Sequence, residues 1–224
     1  MHYDIYERHK KVASYININD TVLDVGGELN HLSQFCSPKA IVVANLTSGD
    51  VLITKDKLPF KDKEFSVVCA IDVFEHVPQN KRHFFLEELL RVARDRVLLS
   101  FPVGTKRHIE YEFQIQKWLL QRKLNVDYLK EHLKFGLPTF NQIRDLTKSL
   151  KPQIHYSGNL EINKLLFRVH VFDPKIKVLR KIIHYLKLII YFLTNPLLYA
   201  MLAQRKYSED VVRAYIIIEK KNIQ

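Results

Sequence analysis

A chain of 224 residues, 47% hydrophobic and with only 6 glycines, can enclose one sizeable core and is neither a disordered tail nor a fibrous repeat. Its formal net charge of +11 (35 Lys+Arg against 24 Asp+Glu) points to an anionic partner or to a solvated basic surface. Two cysteines, Cys36 and Cys69, exclude a disulfide framework and have no metal-ligand spacing, so no metal is expected.

The start, "MHYDIYERHKK", is charged and lacks the apolar core of a secretory signal, and a cytoplasmic location is expected. Residues 2–16 read as a short amphipathic helix carrying Tyr3, Tyr6, Val12 and Tyr15. "TVLDV" (21–25), "AIVVANL" (40–46) and "FSVVCAI" (65–71) are β-branched apolar runs of strand length, with "DVLIT" (50–54) a shorter candidate. "KRHFFLEELLRVA" (81–93) has the apolar spacing of a helix covering a sheet, and "DRVLLSFPV" (95–103) is the next strand. Residues 106–135 and 139–150 are expected to be helical, "QIHYS" (153–157) a strand, and 159–209 a long helical insertion. "VVRAYIIIEKK" (211–221) closes the chain as a strong strand. Apolar strands alternating with helices indicate a doubly wound, Rossmann-like α/β sheet whose ligands sit at the carboxyl ends of the strands. The division expected is an α/β domain of 1–158 and 210–224, interrupted by the 159–209 insertion.

Four features carry chemistry. In "VLDVGG" a strand delivers Asp24, and Gly26 and Gly27 let the backbone turn tightly beside a ligand. Asn45 ends the next strand at the distance where a ribose-binding side chain is expected. "KDKLPFKDKEFSVVCAIDVFEHVP" (55–78) sets Leu58-Pro59-Phe60 before an apolar strand that ends in Asp72, Glu75 and His76. "LEELLRVARDRVLLSFP" (86–102) completes the set.

Together these stretches resemble the class I S-adenosylmethionine-dependent methyltransferases, in particular the type 11-like domains with an "LPF…VV…EH" signature. The likeness is close over residues 20–103 and extends to the final strand. It implies a seven-stranded sheet, mostly parallel with an antiparallel last strand, and S-adenosylmethionine as cofactor. It also implies a site. Asp24, Gly26 and Gly27 would lie under the methionine part and Asn45 would face the ribose. Thr54, Lys55 and Asp56 would sit beside the adenine, and Asp72 next to the sulfonium.

Two departures stand out. Glu28 and Asn30 occupy positions where the family pattern has further glycines, and Asn45 stands where it usually has an acid. A carboxylate accepts from both ribose hydroxyls with charge assistance, so Asn45 implies cofactor binding weaker by about 1–2 kcal/mol. Glu28 is then a candidate for a cofactor hydroxyl or the methionine ammonium. The competing reading, motivated by both departures, is a degenerate cofactor-binding or scaffold module.

A hydroxyl acceptor requires a general base. His76, His108 and His132 are the candidates, His76 the best placed, with Glu110 and Glu131 behind them. The glycine turn lacks the three-glycine dinucleotide fingerprint, which disfavours an oxidoreductase, and no zinc module or basic–aromatic patch supports nucleic-acid binding. In "PKIKVLRKIIHYLKLIIYFLTNPLLYAMLA" (174–203), Lys177, Arg180, Lys181, His184 and Lys187 recur on one helical face, with Ile176, Leu179, Ile183, Leu186 and Ile190 on the other. Asn195-Pro196 is expected to break the uncharged run that follows into a hairpin. Such a segment suits an acidic membrane surface, a lid over a lipid-like substrate, a cap on its own domain, or a homodimer contact. The expected activity is methyl transfer to a small or lipid-linked acceptor, in surface-glycan or lipid synthesis, in the cytoplasm or peripherally at the inner membrane face.

Overall fold

The computed structural model describes residues 1–222 except 55, 125, 126 and 173. Seven strands form one sheet: β1 Thr21–Val25, β2 Ala40–Asn45, β3 Val51–Leu52, β4 Phe65–Ile71, β5 Ala93–Pro102, β6 Gln153–Ser157 and β7 Arg213–Glu219. Their order is β3-β2-β1-β4-β5-β7-β6. β1 to β5 pair in parallel, and β7 runs antiparallel between β5 and β6. This is the sheet expected from the apolar runs, antiparallel last strand included.

Burial on both faces explains why these strands read as unbroken apolar runs: every residue of β4 is buried. One face packs Leu23, Val68, Leu99 and Ile216 against Leu86, Leu89 and Val92 of α2 (Arg82–Val92). The other packs Val22, Val67, Leu98 and Ile217 against Val12 and Ala13 of α1 (Tyr3–Ala13). α1 therefore lies along the sheet with its first turn at the carboxyl ends of the parallel strands.

Beyond β5 come α3 (Lys106–Gln121), α4 (Asp127–Phe135) and α5 (Phe140–Thr147). Their starts follow from local chemistry. The Thr105 hydroxyl accepts from His108 N, and Thr139 and Gln142 form a reciprocal capping box. Between β6 and β7 stand α6 (Leu160–Val171), capped by Asn159, and α7 (Lys177–Leu202).

α7 corrects one expectation. Asn195-Pro196 does not break the chain into a hairpin, because a single 26-residue helix runs through Pro196. The reason is tertiary. The Asn195 side chain is buried and donates to Met1 O at 3.1 Å, while Tyr3 OH donates to Leu198 O at 3.1 Å. Packing on α1 thus holds both sides of the proline in line, and a proline's lost N–H is tolerated when the rest of the helix is fixed. α7 is long and apolar enough to cross a membrane, and 17% of its most apolar window is buried.

Candidate active site

The strand order reverses between β1 and β4, and a crevice opens there outside the carboxyl ends. A cavity of about 480 Å³ fills it. Its walls are apolar along Ile53, Leu58, Phe84 and Phe85 and polar at Asn45, Asp56, Asp72 and His76.

Asp24 lies behind the crevice lining on β1, fully buried, in register with Cys69 on β4. Its Oδ1 accepts from Cys69 Sγ at 3.6 Å, while Oδ2 has no partner. Burial pushes this carboxyl up to about 6. Gly26 has φ +77, and a Cβ there would stand 2.4 Å from Val73 Cγ2. At Gly27 a Cβ would stand 2.1 Å from Asp24 Oδ2. Both glycines are therefore required by close packing, and the turn presses backbone against the Asp24 carboxylate.

Asn45 is turned inward. Its amide donates to Gly26 O at 3.2 Å and Gly27 O at 2.9 Å, and its Oδ1 accepts from Leu46 N at 2.6 Å. The residue lines the crevice as expected, but its N–H groups hold the glycine turn. Glu28 departs further from its expected place: it is exposed, sits 3.5 Å from His31 Nε2, and lines the neighbouring cavity. Thr54 is exposed, and Lys55, expected beside the adenine, lies outside the described residues. Asp56 pairs with Lys81 at 2.8 Å on the crevice rim.

The "LPF" signature has a mechanical role. Leu58 N donates to Glu88 Oε2 at 2.9 Å, and Arg91 donates to the carbonyls of Leu58 and Phe60 at 3.0 and 2.8 Å. Two residues of "EELLR" thus clamp the loop that walls the crevice.

Asp72 has φ +55 and accepts from both Arg8 and Arg213. Arg213 Nη2 also donates to Asp4 at 2.9 Å, so α1, β4 and β7 meet in one charged knot. Sequence spacing did not reveal Asp4, Arg8 or Arg213, because nothing local links positions so distant in the chain.

Asp72 and His76 also line a second cavity of about 480 Å³. Its walls come from α1, α3, α4 and α6 and include His108, Tyr111, Glu112, His132 and Arg213. His76, in a 3-10 turn after β4, has Nδ1 2.7 Å from Glu131 Oε2. His132 has Nδ1 2.8 Å from Glu112 Oε1. The two rings are 4.9 Å apart, so both predicted histidines come together. His108 is elsewhere engaged, its Nδ1–H donated to Val103 O at 2.9 Å. Glu75, fully buried between the two histidines, has a carboxyl pushed well up by burial and then by Asp72.

A family profile described as a methyltransferase domain matches residues 9–101. Over those residues the chain is similar to the methyltransferase domain family, as its motifs imply. The sheet agrees with this. A methyltransferase of Archaeoglobus fulgidus that depends on the same cofactor superposes with a TM-score of 0.59 at 12% identity, covering 97% of this chain and 94% of that one. A Bacillus halodurans protein assigned as a methyltransferase gives 0.51 at 15% identity, covering 97% and 98%. Phosphoethanolamine N-methyltransferase 2 of Haemonchus contortus, solved with phosphomonomethylethanolamine and S-adenosylhomocysteine, gives 0.50 at 11%, covering 94% and 51%. At such identities the superpositions speak to the fold. No curated protein matches the chain by sequence.

The methyltransferase crevice fits S-adenosylmethionine. It offers the tight turn at Gly26 and an apolar wall ending in polar groups, with the orphaned Asp24 carboxylate oxygen buried directly behind that turn. When bound, the cofactor supplies an activated methyl group on a sulfonium. The residues around it bind, orient and exclude water.

Proposed function

We propose that this methyltransferase acts on a small or lipid-linked acceptor with an uncharged head group, bound in the second cavity. One observation carries the reading: the cofactor crevice and the second cavity share Asp72 and His76 as a common wall. Donor and acceptor in these adjoining spaces would meet where the two cavities join beside those residues, and positioning is most of what methyl transfer requires. Five carboxylates line the second cavity (Asp4, Glu28, Asp72, Glu75, Glu112) against the guanidinium groups of Arg8 and Arg213, which disfavours an anionic head. His76 contacts both spaces, and its Nε2 is the ring nitrogen left for an acceptor hydroxyl.

The lipid-linked form of the acceptor has its own support. The second cavity shares His2 and His170 with a groove of about 580 Å³ along α7. Lys177, Arg180, Lys181 and His184 line that groove, where a linking phosphate would be neutralised. Outside it, Val178, Ile182, Ile189, Phe192 and Leu193 form an exposed apolar stripe, with Phe192 at 80% exposure. A basic groove beside an apolar stripe suits the surface of an acidic bilayer, with the protein peripheral at the inner face.

The test is transfer of labelled methyl from S-adenosylmethionine to three acceptors: a polyprenyl-phosphate-linked sugar, a glycerophospholipid and a free sugar. Transfer to any of them, reduced about 100-fold in His76→Ala, supports the reading. Tight S-adenosylhomocysteine binding with no transfer to the panel would favour the non-catalytic alternative.

A further inference from the structure

We propose that Glu75, His76 and His132 form a binding site for one divalent transition-metal ion of the Zn²⁺ type, set in the wall of the acceptor cavity. The proposal deepens the reading above and rests on it only for what the ion would do, not for whether it binds.

The geometry converges. His132 Nε2 lies 3.9 Å and His76 Nε2 4.0 Å from Glu75 Oε1, and the three ligand atoms are all within 4.8 Å of one another. Donors bound at ~2.1 Å in a tetrahedral site stand ~3.4 Å apart, so the three atoms close by roughly 0.5–1.4 Å on binding an ion. The half-exposed His76 ring supplies its share, and small rotations of the Glu75 and His132 side chains supply the rest. Two histidines and one glutamate are also a recognised donor set for zinc that keeps a position open.

Second, the donors lack partners. Glu75 Oε2 and His132 Nε2 are both buried and have no hydrogen bond. Glu75 is 1% exposed and His132 6%. An ion at Glu75 Oε1 would give the orphaned His132 Nε2 its missing partner, with Glu75 Oε2 as the second oxygen of the same carboxylate.

Third, each histidine is prepared from behind. Glu112 accepts from His132 Nδ1–H and Glu131 from His76 Nδ1–H, because a carboxylate can only accept. Both rings are thereby fixed with a bare Nε2 aimed at Glu75. A carboxylate behind each ligating histidine is the usual outer support of a metal site. The excess of carboxylates in this cavity also favours a cation over an anion there.

An ion held by these three residues keeps its open positions toward the acceptor cavity. There it would orient and polarise an acceptor oxygen. His76 and His132 would then serve as ligands, and activation of the acceptor would fall to the ion.

The experiment is a calorimetric titration of the metal-stripped full-length chain with ZnCl₂, without cofactor or acceptor, next to a titration with S-adenosylhomocysteine. One Zn²⁺ per chain is expected. Glu75→Gln and His132→Asn should each weaken it at least 100-fold. The exposed Glu131→Gln, which does not threaten the core, should weaken it about 10-fold through His76. Cofactor affinity should stay within twofold in Glu75→Gln and His132→Asn, neither of which lines the cofactor crevice. No stoichiometric Zn²⁺ binding by the wild-type chain would overturn the site, as would full Zn²⁺ affinity in folded Glu75→Gln or in Glu131→Gln. Neither result bears on methyl transfer, which the acceptor panel tests separately.

Discussion

Asn45 donates its side-chain amide to Gly27 O at 2.9 Å, which ties the end of β2 to the turn that closes β1. Aspartate is the usual family residue at this position, yet here it would remove both donors. It would set a carboxylate against the carbonyls of Gly26 and Gly27. Asn45→Asp is therefore expected to weaken S-adenosylhomocysteine binding about tenfold, opposite to the gain that ribose recognition alone would give. Loss of two hydrogen bonds of about 1 kcal/mol each covers that magnitude. Tighter binding by Asn45→Asp in calorimetry would contradict the inward role.

The Asp24 carboxyl makes stability depend on pH. Its ordinary value of 3.8 is raised to about 6 in the folded chain, so the folded state holds a proton that the unfolded state releases. The stability linked to that proton is complete below pH 3.8 and is lost as pH rises through 6. Asn cannot ionise, so Asp24→Asn should match wild type near pH 4 and exceed it by up to ~3 kcal/mol at pH 8. Urea denaturation across that range measures it. The same variant should lose cofactor binding.

Asp72 neutralises the fully buried Arg213. Asp72→Ala leaves that guanidinium with Asp4 as its carboxylate partner and should destabilise the fold by about 3 kcal/mol. Thermal unfolding is the readout, and an unchanged midpoint would show that Asp4 and Arg8 rearrange to compensate.

The α7 cations divide into two groups. Lys187 Nζ is committed to the carbonyls of His170 and Phe172, at 2.8 and 2.6 Å, and is structural. Lys177 and Lys181 line the open groove. Changing those two to Gln should lower partition onto acidic vesicles about 30-fold at low salt, at ~1 kcal/mol per cation. Neutral vesicles should bind neither form well. A wild-type chain that ignores acidic vesicles would leave α7 facing another protein surface.

The fold was legible in the sequence because both-sided burial writes itself as unbroken apolar runs: β1 and β4 begin and end where the runs do. The cofactor crevice was legible for the same local reason, since Asp24, Gly26 and Gly27 sit on one turn. The acceptor cavity was not. It assembles Asp4 and Arg8 from α1, Glu112 from α3, His132 from α4 and Arg213 from β7, and only the folded chain brings them together. One reading failed for a physical reason: Pro196 was expected to break a helix that contacts with α1 hold straight.

Cys69 lies beneath Asp24 in the centre of the sheet, wholly enclosed, its thiol pushed well up by burial. An alkylating reagent meets a reactive thiolate there only while β1 and β4 are separated. Cys36, partly exposed, offers a thiol without that barrier. The chain thus carries a built-in clock: Cys36 marks the time of reagent addition, and the lag before Cys69 reacts reports how often the sheet behind the cofactor crevice opens.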